Sequence, residues 1–262
     1  MKNKPKIVAI IQARMHSSRF PGKIMKKING DTVIDYVIRQ TLASKYVGKI
    51  IIVTTRSHFD DKLVNYCEKK KIEIFRGKTN DVLDRYYKCA KKYDCDPILR
   101  ISSDCPFIDP NIIDKIIEEF FHGNFDYVSN NFEGKNNSLC NYPQGMVVEI
   151  ASRKALEKAW KNAKKPSERE HVFPYIQFHS ELFNNKAIKN KENLSFIRCT
   201  VDYLEDLEFL KEIIKRLPKN TKIITIKDIK QIVNKNPEIV RINNWIDFEE
   251  GYKKSLKLDN KS

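Results

Sequence analysis

Residues 12–23, QARMHSSRFPGK, carry three permanent cations within ten positions: Arg14, Arg19 and Lys23. Guanidinium and ammonium groups at that density suit phosphate oxygens, which accept several charge-assisted hydrogen bonds at once. Gly22, just before the lysine, lets backbone approach a bound group closely. A solvated basic loop is the plainer reading of the same residues. The segment is neither the phosphate-cradling G-x-x-x-x-G-K-[ST] loop nor the dinucleotide turn G-x-G-x-x-G.

Two aspartates add a second kind of chemistry. Asp104 lies in RISSDCPFIDP (100–110), after an apolar strand and before Pro106. A strand-end carboxylate suits Mg²⁺, which takes one or two protein carboxylates and completes its shell with water and substrate phosphate. The alternative is a turn-forming aspartate, and Asp109 before Pro110 reads as a helix cap. Asp202, in RCTVDYLEDLEFL (198–210), ends a strand and opens a helix. Asp202-x-x-Glu205 also fits a capping box, a purely structural use. If both aspartates face one crevice they can share one ion.

The elements that must position these residues follow from hydrophobic period. Short β-branched runs predict strands at 7–11, 49–55, 72–75, 97–102 and 126–130. Between them, apolar residues at helical spacing predict helices over 31–44, 60–70, 80–93 and 110–121. Strands alternating with helices give a mainly parallel sheet with both faces covered. Ligands then bind beyond the carboxyl ends of the strands, where the basic loop and Asp104 fall. From 131 the chain turns polar, and NFEGKNNSLCNYPQG reads as a long loop. Further expected elements are a strand at 147–150, a helix in SRKALEKAWKNA, and a helix in PSEREHVFPYIQF interrupted near Pro174. A strand at 196–201, a helix at 204–217, and a strand and helix in 224–234 complete the reading. The tail after 250 is Lys-rich and is expected to be loose.

Bulk properties narrow the function. Net charge is +15, with 37 of the 49 basic residues being lysine, scattered beside Asn and Ile. A nucleic-acid reader concentrates arginine on one face and interleaves stacking aromatics, so no nucleic-acid partner is expected. A basic surface does attract anionic small molecules. Cys67, Cys89, Cys95, Cys105, Cys140 and Cys199 form no C-x-x-C pair, which argues against zinc and for reduced, buried thiols. No apolar run is long enough to cross a membrane. The start, MKNKPKIVAIIQAR, reads as a first strand with no cleavage site, so a cytoplasmic protein without a membrane partner is expected.

Six segments occur in order: QARMHSSRFPGK, FRGKTNDVLDRYY, RISSDCPFIDP, YPQGMVVEI, SEREHVFPYI and TVDYLEDLEFL. Together, over about residues 7–215, they closely resemble the spore-coat polysaccharide cytidylyltransferase family. That family is related to the acylneuraminate and 3-deoxy-manno-octulosonate cytidylyltransferases. The resemblance implies an α/β, Rossmann-like nucleotide-diphospho-sugar transferase fold with helices on both faces of the sheet. It implies a nucleotidyltransferase domain over 1–235, in which 131–195 is an acceptor-binding and dimerisation insertion, followed by an extension over 236–262. It implies a cytoplasmic homodimer that joins CTP to a sugar or sugar acid for surface glycan synthesis, giving a CMP-sugar and pyrophosphate.

By the same resemblance Gln12, Ala13, Arg14, Arg19, Lys23, Ser103 and Asp104 surround the nucleotide. Arg76, Asp81 and Arg85 lie near base and ribose, and Asp104 and Asp202 hold Mg²⁺. Arg14, Lys23 and the two aspartates are the expected catalytic set. Gln144, Glu149, Arg169, Glu170 and His171 face the acceptor or the dimer partner. Two departures stand out. Val147 replaces an acidic residue usual in the family, and Ser103 replaces a glycine. A glycosyltransferase is the rival enzyme, although its D-x-D metal motif does not occur in 100–110. A guanylyl or other nucleotidyltransferase also remains open.

Overall fold

The computed structural model describes residues 6–131, 141–247 and 250–260. The chain runs β1 (Ile7–Gln12), β2 (Lys27–Ile28), β3 (Asp31–Thr32), α1 (Val33–Leu42), β4 (Val47–Thr55), α2 (Asp61–Lys69), β5 (Glu73–Gly77), α3 (Val82–Lys92), β6 (Ile98–Ser102) and α4 (Pro110–His122). It continues through β7 (Tyr127–Ser129), β8 (Glu149–Ala151), α5 (Arg153–Asn162), α6 (Pro166–His171), α7 (Pro174–Phe178), β9 (Asn185–Ala187), α8 (Leu204–Arg216), α9 (Ile226–Lys235) and α10 (Glu250–Asp259).

Seven strands form the main sheet in the order β5-β4-β1-β6-β8-β7-β9. The first four are parallel; β8 runs antiparallel to β6 and β7. The period of two decides which residue serves which face. Ala9, Ile11, Ile50, Ile52, Leu99 and Ile101 pack with α1, α4, α8 and α9. Ile10, Ile51, Val53 and Ile98 pack with α3 and α5 on the other side. After β1 the chain adds strands to one side, then returns through α3 to place β6 on the other. Strand order therefore reverses between β1 and β6, and a crevice opens beyond their carboxyl ends. Gln12–Arg14 and Ser103–Asp104 sit at that point.

The expected alternation of strands and helices is present up to residue 130. Several later elements differ. The segment 196–201 is not a ladder strand but makes one bridge, Gln144 with Arg198. Its backbone is instead held at Asp104, whose carbonyl accepts from Val201 N at 2.8 Å. The strand expected at 224 is also missing, because the Gln40 amide bonds both Ile224 N and Ile224 O in place of a neighbouring strand. Within the 131–195 insertion, residues 132–140, and with them Cys140, lie outside the described residues. In the rest of it, β8 and β9 join the main sheet. The tail is not loose over its described length: α10 packs on α6, where Asp259 accepts from Ser167 N at 2.8 Å and from Ser167 Oγ at 2.5 Å. Ser255 is the residue of α10 that is buried. The five described cysteines are free and buried, and no helix among the described residues is long and apolar enough to cross a membrane.

Candidate active site

β1 delivers its last residues into the crevice, and the basic loop folds back over them. Ala13 N bonds Val53 O at 3.0 Å, so β1 stays registered until the loop begins. Buried Asp60 then fixes the loop's course. Its Oδ1 accepts from Met15 N at 2.7 Å, and its Oδ2 accepts from Thr55 N at 3.1 Å. Gly22, at φ 68°, turns the chain back, donating to Met15 O at 2.9 Å. The turn drops Lys23 into the protein at the start of a 3₁₀ turn (Lys23–Met25). Nothing in the sequence near Asp60 advertised this role.

Lys23 ties the two distant aspartates together. Its Nζ donates to Asp104 Oδ2 at 2.6 Å and to Asp202 Oδ1 at 2.8 Å. Burial opposes the ammonium, but the carboxylates of Asp104 and Asp202 outweigh it and raise the Lys23 pKa. Burial likewise opposes ionised Asp104, and Lys23 reverses the balance and holds that carboxyl below its ordinary value. Arg19 joins from the loop, donating to Asp202 Oδ1 at 2.6 Å. From below, Arg198 Nη2 donates to Asp202 Oδ2 at 3.1 Å.

Asp202 is free for this network because another residue caps α8. The capping carboxylate is Asp206, fully buried, which accepts from Asp202 N at 2.7 Å and from Tyr203 N at 3.0 Å. The box expected from Asp202-x-x-Glu205 is therefore displaced by one residue. The N-cap is Tyr203, the N3 residue is Asp206, and the Asp202 side chain points to the crevice. The Cys105 thiol lies 3.6 Å from Asp104 Oδ1. Burial, then the Asp104 charge, push its pKa well up, so it stays protonated.

Two adjoining cavities meet at this cluster. The larger, about 750 Å³, is bordered by Gln12, Arg14, Lys23, Arg85, Ser103 and Glu170 among others. The smaller, about 260 Å³, is bordered by Val147, Glu149, Gln177, Phe178, Thr200 and Asp202 among others. Arg19, Arg100, Ser102, Asp104, His171 and Gly251 line both. Arg100 is the residue the sequence reading passed over. It sits opposite Glu149 in register, ion-pairs with it, and donates from Nε to Gln12 Oε1 at 3.2 Å. Glu149 also accepts from Tyr127 Oη at 2.7 Å. The available signal was a charged residue inside an otherwise apolar strand, since an unpaired charge there is prohibitively costly.

The structure brings together Gln12, Ala13, Arg14, Arg19, Lys23, Arg85, Ser103, Asp104, Glu149, Glu170, His171 and Asp202 around these cavities. Arg14 pairs with Glu170 at 3.4 Å while remaining half-exposed. Arg85 is buried, donates from Nη1 to Lys78 O at 2.8 Å, and has Nε without a partner. Burial, the largest influence, drives His171 down to about 4, with the Arg100 charge adding to it; its Nε2 lies 3.0 Å from Ser255 Oγ.

Four expected residues are engaged elsewhere and border neither cavity. Arg76 braces the loop after β4, donating to Thr55 O and Ser57 O at 2.9 and 2.8 Å. Asp81 caps α3 and takes a two-pronged contact from Arg169, which ties α3 to α6. Gln144 donates to Ser195 O at 3.0 Å and accepts from Arg198. Each of the four makes its contacts here with backbone or with another side chain of the same chain.

Comparison with known proteins bears on what this crevice belongs to. A family model described as cytidylyltransferase matches residues 8–240. The chain is 38% identical over 243 residues to an uncharacterized protein of Methanocaldococcus jannaschii, covering 91% of this chain and 94% of that one. It is 28% identical over 239 residues to the spore coat polysaccharide biosynthesis protein SpsF of Bacillus subtilis, covering 88% and 95%. Among solved structures, a cytidylyltransferase from Leptospira borgpetersenii superposes with a TM-score of 0.82 at 33% identity, covering 90% of this chain and 97% of that one. These matches span the basic loop, both aspartates and the sheet that carries them, and they set aside the glycosyltransferase alternative. The chain is a member of the cytidylyltransferase family, and its strand-end crevice lies where such an α/β sheet places its site.

Proposed function

We propose that this protein transfers the cytidylyl group of CTP to a sugar or sugar-acid hydroxyl, releasing pyrophosphate and a CMP-sugar, with Mg²⁺ held by Asp104 and Asp202. The observation that carries the reading is the convergence of these two carboxylates on one ammonium, Lys23, at the sheet's switch point. CTP belongs in the larger cavity, beside the basic loop. The acceptor belongs in the smaller, so attack occurs across the wall that Asp104, Arg19 and Arg100 share.

The donor set fits the ion. Asp104 and Asp202 offer hard carboxylate oxygens within reach of a single point, and no cluster of three metal-binding side chains occurs among the described residues. A site of two carboxylates completed by water and phosphate is the usual Mg²⁺ arrangement. An ion held by these two carboxylates would supply charge neutralisation and would lower the pKa of the attacking hydroxyl. Lys23 now occupies the point between the carboxylates. It exchanges them for phosphate oxygens when the triphosphate enters, and with Arg14 and Arg19 neutralises the charge growing on pyrophosphate. Arg100, fixed by Glu149 and Gln12, holds the nucleotide and acceptor cavities at a constant separation, and reactions of this type depend on positioning more than covalent chemistry.

A matrix of nucleoside triphosphates against sugars, sugar phosphates and sugar acids, with pyrophosphate as readout, tests the proposal. The expected result is release from CTP that requires both an acceptor and Mg²⁺. Release that needs no acceptor, or that prefers GTP, sinks it.

A further inference from the structure

Residues beyond 240 lie outside the matched family region, yet α10 borders the site. Glu250, Gly251, Lys254, Ser255 and Leu258 all border the larger cavity. Their spacing of one, three and four residues places them on one helical face. Ser255, buried, meets His171, and Ser167 is held by Asp259, so this face is seated on α6. Two side chains on it bear charge toward the basic loop. Glu250 Oε2 accepts from Arg19 Nη1 at 3.3 Å and from Tyr203 Oη at 2.6 Å. Lys254, one turn on, borders the cavity that also holds Arg14, Arg19 and Lys23.

We infer that α10 is a working part of the nucleotide site. Lys254 is a further ligand for the phosphate tail, and Glu250 occupies Arg19 as a carboxylate stand-in that the tail displaces. This rests on the reading of the larger cavity as the CTP site. The two side chains then carry opposite signs of effect. A cation facing the tail strengthens binding, whereas an anion holding Arg19 must give way and so weakens it. Gly251 lies beside the same guanidinium: a Cβ built on it would come 3.9 Å from Arg19 Nη1 and Nη2. The helix backbone thus lies close to the loop at the residue that follows Glu250.

The experiment measures binding of CTP and of CMP, with Mg²⁺, to the full chain and three variants. Lys254→Gln is expected to weaken CTP about five- to tenfold, the size of one typical net hydrogen bond, and to leave CMP nearly unchanged. Glu250→Gln keeps an acceptor for Tyr203 and is expected to tighten CTP about two- to fivefold, as for release of an exposed ion pair. Lys253→Gln removes the same charge from a side chain paired with Asp247 at 2.8 Å and is expected to match wild type. Equal effects of Lys254→Gln and Lys253→Gln, or weaker CTP binding in Glu250→Gln, overturn the inference. So does a Lys254→Gln loss as large for CMP as for CTP, which marks mere loosening of the helix. Failure of the unaltered chain to bind CTP overturns instead the assignment of the cavity.

Discussion

Replacing Lys23 with methionine keeps the aliphatic stem and removes the ammonium shared by two carboxylates, Asp202 buried and Asp104 partly exposed. Asp104 Oδ2 and Asp202 Oδ1 lie 2.6 and 2.8 Å from that nitrogen, so they are at most ~5.4 Å apart. Like charges about 5 Å apart at an effective dielectric near 20 repel by about 3 kcal/mol. Breaking a buried pair from one side costs about 3–5 kcal/mol, and the two figures agree. Lys23→Met should therefore lose about 3–5 kcal/mol of unfolding free energy at pH 7, measured by urea denaturation. The pH dependence has a definite sign. Lys23 lowers the folded-state pKa of Asp104, so its stabilisation is present above the ordinary aspartate value and is lost as pH falls through the folded one. The gap between wild type and variant should be widest at neutral pH and should narrow in acid, where one carboxyl takes a proton. Asp104→Asn in the Lys23→Met background should recover much of the loss, because it removes one of the opposed charges. A deficit below about 1 kcal/mol at pH 7, or one that Asp104→Asn deepens, would refute the argument. Pyrophosphate release should fall at least about a hundredfold in Lys23→Met and in Asp104→Asn.

Three other outcomes follow from the same geometry. Asp206→Ala strips acceptors from Arg198, from Asn243 and from the first amides of α8; it should cost about 3–5 kcal/mol in denaturation, with Asp206→Asn intermediate. Gly145 has φ 86°, and a Cβ there would fall 2.6 Å from Thr200 N; Gly145→Ala should lower stability by at least about 2 kcal/mol, read as a drop in Tm. His171 titrates near 4 when folded and near 6.5 when unfolded. The unfolded chain therefore binds the extra proton in that window. Stability should fall as pH drops from about 6.5 toward 4, by about 3 kcal/mol in all. His171→Gln should flatten that part of the curve.

The regular half of the fold was legible because hydrophobic period is a local property. Ile7–Gln12, Val47–Thr55 and Ile98–Ser102 are mostly β-branched and apolar, so they read as buried strands, and the helices between them repeat apolar residues at 3.6. The segments that misled are those whose backbone finds side chains instead of strands. Gln40 serves Ile224, and Asp206 and the Asp104 carbonyl serve 200–203. Such partners sit far away in sequence and leave no periodic trace. α10 was missed for a related reason: its lysines mask a narrow inward face, and only α6 gives that face something to pack against.

The sequence by itself determined the kinds of group available: a cationic loop, two carboxylates at element ends, and a parallel sheet with its crevice at the carboxyl ends. Those follow from residue type and short-range spacing. Only the tertiary structure decided which groups meet. It joined Lys23 to Asp104 and Asp202, 81 and 179 residues away. It placed Arg76, Asp81, Arg169 and Gln144 away from the two cavities, and it brought Arg100 and the C-terminal helix to them. The reason is physical. A buried charge must find its opposite, and the strand order and helix seating, not chain proximity, set which opposite lies within about 3 Å.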